Sequence, residues 1–284
     1  MNTSETSGAR RDASSSSRTP SGRVVSKDGS IIAYDRLGNG PPLVLIVGAL
    51  CSRALGPGVK LAPLLAERFT VYSYDRRGRG ESTEGGPYTA LREIEDLQAL
   101  IAEAGGSVFA FGHSSGAVLA LEAAAHGLPI RKLALYEAPL IVDGSRAGTN
   151  GDWEKIDALI AQGQRGDALK IFLKMVGVPA FAVTLMSWLP VWRKLIAVAH
   201  TLPHDGALVR ELQRGQPLRA PAWATVTAPA LALVGGKSPV WMHNGNQAIV
   251  RALANAESRT LEGQTHDVAA KALAPVLTRF FAGP

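Results

Sequence analysis

A chain of 284 residues, 46% hydrophobic and 19% charged, has enough apolar material for a packed core and is not a mostly disordered protein. One cysteine, Cys51, excludes an intramolecular disulfide framework, and no Cys/His cluster has zinc-like spacing. The formal net charge of +6 is spread along the chain without a Lys/Arg block or an interleaved aromatic stripe, so a basic surface explains it better than a nucleic-acid site.

Residues 1–22 are rich in Ser, Arg, Gly and Thr and poor in large apolar side chains, which predicts a disordered tail. They lack the apolar stretch of a secretory signal, so a cytoplasmic location is the default expectation. From Arg23 onward, strands and helices alternate. Ile31 to Tyr34 reads as a strand, followed by a turn at Gly38-Asn39-Gly40-Pro41-Pro42. Leu43 to Val47 is a continuous apolar run, the pattern of a strand buried on both faces. Val71 to Tyr74 is another strand, and Leu91, Ile94, Leu97, Leu100 and Ile101 recur at helical spacing. Val108 to Phe111 is a strand that runs into Gly112, after which Ala117 to Ala125 is built of strong helix formers. Leu133 to Tyr136, Leu231 to Val234 and Ser258 to Leu261 supply three later strands. The alternation predicts an α/β fold with a largely parallel sheet covered by helices on both faces.

Between Asp143 and Pro217 no buried-strand run occurs, and helical patches at Ala168 to Val176 and Ala180 to Leu202 take over. This divides the chain into a core at 23–142, a helical lid at 143–217 and a second part of the core at 218–284. The most apolar stretch, Val178 to Leu202, is interrupted by Pro190, Arg193 and Lys194, a poor membrane span.

Gly112-His113-Ser114-Ser115-Gly116 matches G-x-S-x-G between a predicted strand and a predicted helix. A nucleophile on so sharp a turn adopts strained backbone angles, and neighbours without Cβ let the turn pack closely. The following helix also places its positive N-terminus beneath a developing oxyanion. The plain alternative is a Gly-rich turn with a surface serine.

Four motifs in sequence order resemble the α/β-hydrolase superfamily over residues 23–284. Lys27-Asp28-Gly29-Ser30-Ile31 resembles its opening hairpin, and Asp75-Arg76-Arg77-Gly78-Arg79-Gly80-Glu81-Ser82 its D-x-R-G-x-G-x-S loop. Gly112 to Gly116 matches its nucleophile elbow, and Gly263-Gln264-Thr265-His266-Asp267 resembles the loop that holds its catalytic histidine. The resemblance implies an α/β-hydrolase fold with an inserted helical lid, no cofactor and no metal.

A serine hydroxyl needs a neighbouring base to take its proton. Of His113, His126, His200, His204, His243 and His266, only His266 falls in a loop between a late strand and the last helix. The third member accepts a hydrogen bond from the imidazole. In most relatives it follows the strand corresponding to Leu231 to Val234, yet Gly235-Gly236-Lys237-Ser238-Pro239 contains no carboxylate. Some members, haloalkane dehalogenases among them, place it one strand earlier, where Glu137 stands; Asp267 and Asp143 are the other candidates. The oxyanion hole is expected from the backbone amides of Ser115 and of Ala49 or Leu50, in a loop that reads Val47-Gly48-Ala49-Leu50 where relatives usually carry His-Gly. Cys51 nearby reads as a small buried hydrophobe, and Arg76, Arg77 and Arg79 as structural.

The lid carries Met175, Phe181, Met186, Trp188 and Trp192, which are expected either to pack it onto the sheet or to wall a pocket for an apolar substrate group. Together these features predict a serine hydrolase acting on an ester, lactone or thioester of a small molecule. Serine at 114 argues against epoxide hydrolysis and dehalogenation, which need an aspartate nucleophile. A cofactor-free haloperoxidase or perhydrolase, a cyclase or acyltransferase on the same residues, and a non-catalytic ligand-binding protein of this fold are the competing readings. No phosphate-loop or dinucleotide fingerprint is present, and nothing in the sequence indicates an oligomeric state.

Overall fold

A computed structural model describes residues 21–149, 151–218 and 223–283. The expected disordered tail lies outside them except for its last two residues, the second of which opens the first strand. The strands are β1 (Gly22–Val25), β2 (Ile31–Leu37), β3 (Pro42–Ile46), β4 (Thr70–Tyr74), β5 (Val108–His113), β6 (Ile130–Tyr136), β7 (Ala230–Gly235) and β8 (Ala256–Leu261). They form one sheet in the order β1-β2-β4-β3-β5-β6-β7-β8. β2 pairs antiparallel with β1 and β4, and all pairings from β4 through β8 are parallel.

The helices are α1 (Gly58–Leu65), α2 (Ala90–Glu103), α3 (Ser115–Ala125), α4 (Asp152–Ala161), α5 (Arg165–Met175), α6 (Ala180–Met186), α7 (Pro190–Val198), α8 (Leu202–Val209), α9 (Val240–Ala252) and α10 (Ala270–Ala282). The apolar runs bury alternate residues against two helical layers. Val44 and Ile46 of β3 join the core that α2, α3, α8 and α9 cover, whereas Leu43 and Leu45 face the layer of α1 and α10. α1 was not legible in the sequence because Pro57, Gly58 and Pro63 argue against a helix there; burial of Leu61, Ala62 and Leu65 overrides that local preference. The expected helical stretch at Ala180 to Leu202 divides at Leu189, since Pro190 cannot continue α6 but suits the first turn of α7. No single helix among the described residues is long and apolar enough to cross a membrane.

The chain leaves β3 for β4 on one side and reaches β5 on the other. The strand order therefore reverses at the C-terminal ends of β3 and β5, where open parallel sheets leave a crevice.

A buried ionic network ties the segment between β6 and β7 to this crevice. Asp205 of α8, 1% exposed, accepts hydrogen bonds from Arg76 (2.7 Å), Arg79 (2.6 Å) and Ser115 Oγ (2.7 Å). Arg76 also forms a two-pronged pair with Glu93. Removing one partner of such a cluster leaves a desolvated charge without compensation, a penalty of about 3–5 kcal/mol. Asp205→Ala is therefore expected to lower the unfolding free energy in urea by about that amount, with Asp205→Asn losing less because it keeps hydrogen-bonding oxygen. A loss below about 1 kcal/mol for the alanine variant, the range of an exposed pair, would contradict this account.

Candidate active site

Ser114 sits where β5 turns into α3, with φ +57° and ψ −128°. A non-glycine residue at such angles is strained and held by its surroundings. Its amide donates to the Tyr136 carbonyl at 2.9 Å. The turn is possible because Gly116 has no side chain: a Cβ there would lie 2.1 Å from the Ile46 carbonyl oxygen. A Cβ on Gly48, just beyond β3, would lie 2.8 Å from Ser114 Cβ, so the two strand ends meet across the switch point.

Glu137 occupies the corner after β6 with φ +47° and is 2% exposed. Its Oε2 accepts a hydrogen bond from His266 Nδ1 at 2.8 Å. Its Oε1 accepts from the Gly235 amide (2.7 Å) and from Ser238 Oγ (2.5 Å). The loop after β7 thus carries no acid but supplies donors to the acid of the neighbouring strand. Burial alone would raise the Glu137 pKa; the hydrogen bonds from His266, Ser238 and Gly235 outweigh it and hold the carboxyl below the usual glutamate value. Asp143 is turned toward Ser145 and Asn244, and Asp267 makes no hydrogen bond or ion pair with His266 among the described residues.

The His266 loop is braced from behind. Tyr136 Oη donates to the Thr265 carbonyl at 2.5 Å, and His113 Nε2 lies 3.1 Å from the His266 carbonyl. Burial, with the neighbouring His266 adding to it, pulls the His113 pKa down to about 3, so the ring is neutral. A carbonyl only accepts, which places the His113 proton on Nε2. This histidine supports the backbone of His266.

With Nδ1 bound to Glu137, Nε2 is the free ring nitrogen of His266. Both His266 and Ser114 line one cavity, with no direct hydrogen bond between them among the described residues. The cavity's other charged or polar walls are Glu137, Arg146, Thr149 and Gln213, and its apolar ones are Pro139, Met175, Val176, Pro239, Trp241 and Met242.

No backbone hydrogen bond among the described residues uses the amides of Ala49, Leu50 or Ser115. Leu50 is buried at φ +60°. Arg79 holds this loop from below, donating to the Gly48 carbonyl at 2.7 Å and the Cys51 carbonyl at 3.4 Å. Burial pushes the Cys51 thiol up to about 11, so it is protonated and a poor nucleophile at neutral pH.

Four of the five residues of the helical segment expected to wall the pocket do not line it. Phe181 and Trp188 are 76% and 84% exposed: Phe181 lies on the outward side of α6, whose buried residue is Val183, and Trp188 follows the end of that helix. Trp192 is buried in the core, Met186 is half-buried against it, and of the five Met175 alone lines the cavity, beside Val176. Sequence reasoning missed Arg146, Thr149, Gln213, Trp241 and Met242. They come from a loop, the end of the helical segment and the start of α9, and no periodic pattern marks them.

The model of the "Alpha/beta hydrolase family" matches residues 43–277 of the chain. The crystal structure of an alpha/beta hydrolase from Sphaerobacter thermophilus is 48% identical and covers 92% of this chain and all of its own, with a TM-score of 0.83. Curated relatives match over shorter stretches. "N-formylmaleamate deformylase" of Pseudomonas putida is 32% identical over 157 residues, 53% of this chain and 58% of that protein. "Probable oxidoreductase EphD" of Mycobacterium tuberculosis is 41% identical over 102 residues, 34% of this chain and 17% of that protein. This chain therefore spans 58% or less of the length of these curated relatives. With a family match over most of its length and a crystal structure that superimposes along 92% of it, the chain belongs to the α/β-hydrolase family.

Proposed function

We propose that this protein is a serine hydrolase that cleaves a carboxylic ester, lactone or thioester of a small molecule through an acyl-enzyme. The observation that carries the reading is a strained serine sharing one cavity with an imidazole whose other nitrogen is bound by a buried carboxylate. In this reading Ser114 Oγ attacks the acyl carbonyl and gives its proton to His266 Nε2, while Glu137 fixes the tautomer and stabilises the imidazolium. The free amides of Ser115 and of Ala49 or Leu50 hold the oxyanion. The leaving group departs with the proton from His266. Water then repeats the attack, releasing the acid and restoring Ser114. The helical segment after β6 acts as the lid, contributing Met175, Val176 and Gln213 to the cavity.

The cavity measures about 110 Å³. That is less than the roughly 150 Å³ that accommodates a benzene ring, so the bound acyl group is small. Its six apolar walls favour a group with a hydrocarbon skeleton. Similarity to a protein named N-formylmaleamate deformylase favours a second reading, in which the same residues open a C–N acyl bond.

A fluorophosphonate probe tests the proposal. The expected result is one covalent adduct, located by peptide mass spectrometry on Ser114 and absent after heat denaturation. Absence of any adduct on the native protein would refute the nucleophile and favour a non-catalytic binding role.

A further inference from the structure

Among the described residues, arginines that are buried or half-buried meet carboxylates almost without exception. Arg53 pairs with Asp35 and Asp75, Arg76 with Glu93 and Asp205, Arg77 with Asp28 and Asp96, and Arg79 with Asp205. Arg146 is different. It lines the cavity that holds Ser114 and His266, yet no carboxylate among the described residues lies within ion-pair distance of it. Its guanidinium stacks over the Trp241 ring, 4.4 Å from the centroid, and donates one hydrogen bond to the Met175 carbonyl. The nearest acid in sequence, Asp143, is occupied by Ser145 and Asn244.

A guanidinium remains charged in any protein and carries five donors, most of them unused here. Burial pulls the Arg146 pKa below the usual guanidinium value, with no acidic neighbour acting the other way. A second group of donor character lies in the same wall. The carbonyl oxygen of Gln213 accepts from Thr149 Oγ1 (3.1 Å) and Trp153 Nε1 (2.8 Å), so the polar atoms that Gln213 has left are amide N–H groups. The cavity's single carboxylate, Glu137, is taken up by His266, Gly235 and Ser238. What the cavity offers beyond the serine and the imidazole is thus an aromatic shelf, an unneutralised planar cation and an amide donor.

We infer that Arg146, seated on Trp241 and assisted by Gln213, is a specificity-determining residue that binds a carboxylate carried by the substrate. The substrate class is then a small acyl compound with an anionic carboxylate a few bonds from the carbonyl that Ser114 attacks. This rests on reading the cavity as the active site. A fork of N–H donors matches two carboxylate oxygens, and Arg146 is held in place by its ring and its carbonyl before any ligand arrives. A neutral substrate would leave the guanidinium partly desolvated and unpaired.

The test is equilibrium binding, measured by calorimetry, of succinamate and of succinamide. These two probes differ only in replacing a carboxylate by a neutral amide. The wild-type protein is expected to bind succinamate at least about tenfold more tightly, the discrimination that hydrogen bonding to a charged group supplies. Arg146→Leu and Arg146→Gln are each expected to abolish that preference. Equal affinity of the wild-type protein for the two probes, or a preference that survives in either variant, overturns the inference. Because binding is read without turnover, its outcome stays separate from that of fluorophosphonate labelling, which tests the nucleophile.

Discussion

Ser114→Ala is expected to lower kcat by about a millionfold on any ester the wild-type protein turns over, while the circular dichroism spectrum and the urea midpoint stay close to wild type. The size of the effect follows from the chemistry. Alanine at 114 offers His266 no proton and the acyl group no attachment point, so the acyl-enzyme route is closed rather than slowed. The residual rate is what the oxyanion amides and binding alone provide. The fold is expected to tolerate the change because the strain at φ +57° comes from possessing a Cβ, which alanine also has. Ser114 Oγ makes no hydrogen bond to protein among the described residues, so its removal leaves no buried group unpaired. Steady-state kinetics on a purified variant, with an active-site titration to exclude traces of wild type, decides the matter. A variant that retains more than about a hundredth of the wild-type kcat would remove Ser114 from the mechanism.

The parts of the site that were legible in the sequence are those set by local backbone geometry. Gly116 is needed because a strand and a helix approach within van der Waals contact, and such a requirement leaves a fixed spacing. β3, β5, β6 and β7 were legible for a related reason: stretches buried on both faces, such as 133–136 of β6, must be apolar whatever the detailed packing. Arg146 and Asp205 were not legible. Asp205 reaches Arg79 across 126 residues of sequence, and a single acid in a helix gives no sign of a partner so remote. Arg146 sits in a loop, where neither periodicity nor a cap constrains residue type. The exposed aromatics Phe181, in α6, and Trp188, just after it, misled the reading in the opposite direction. Apolar residues on or beside a short helix next to a candidate active-site cleft fit a pocket wall and an outward face equally well, and only the tertiary packing separates the two.

The acid at position 137 leads to the second large effect, a loss of about ten-thousandfold in kcat for Glu137→Gln. Two donors, the Gly235 amide and Ser238 Oγ, converge on Oε1, so the carbonyl oxygen of a glutamine must settle there. The amide nitrogen then faces His266 Nδ1, which in wild type lies 2.8 Å from a carboxylate oxygen. An N–H donor opposite Nδ1 forces that nitrogen to accept and moves the ring proton to Nε2, the nitrogen needed as base for Ser114. The substitution changes one heavy atom, so the cavity and its affinity for small ligands are expected to persist while kcat collapses. Protein stability offers an independent reading of the same carboxylate. Its pKa is depressed in the folded state, so its ionisation stabilises the fold above the usual glutamate range, and that contribution is lost as pH falls through the lower folded value. Glu137→Gln has no such proton to bind, and its unfolding free energy is expected to fall less steeply than that of wild type across that acidic window. Parallel stability curves for the two proteins, together with a kcat reduced less than about tenfold, would mean that the hydrogen bond from His266 to Glu137 has no part in catalysis and that the loops around β6 and β7 hold the imidazole by themselves.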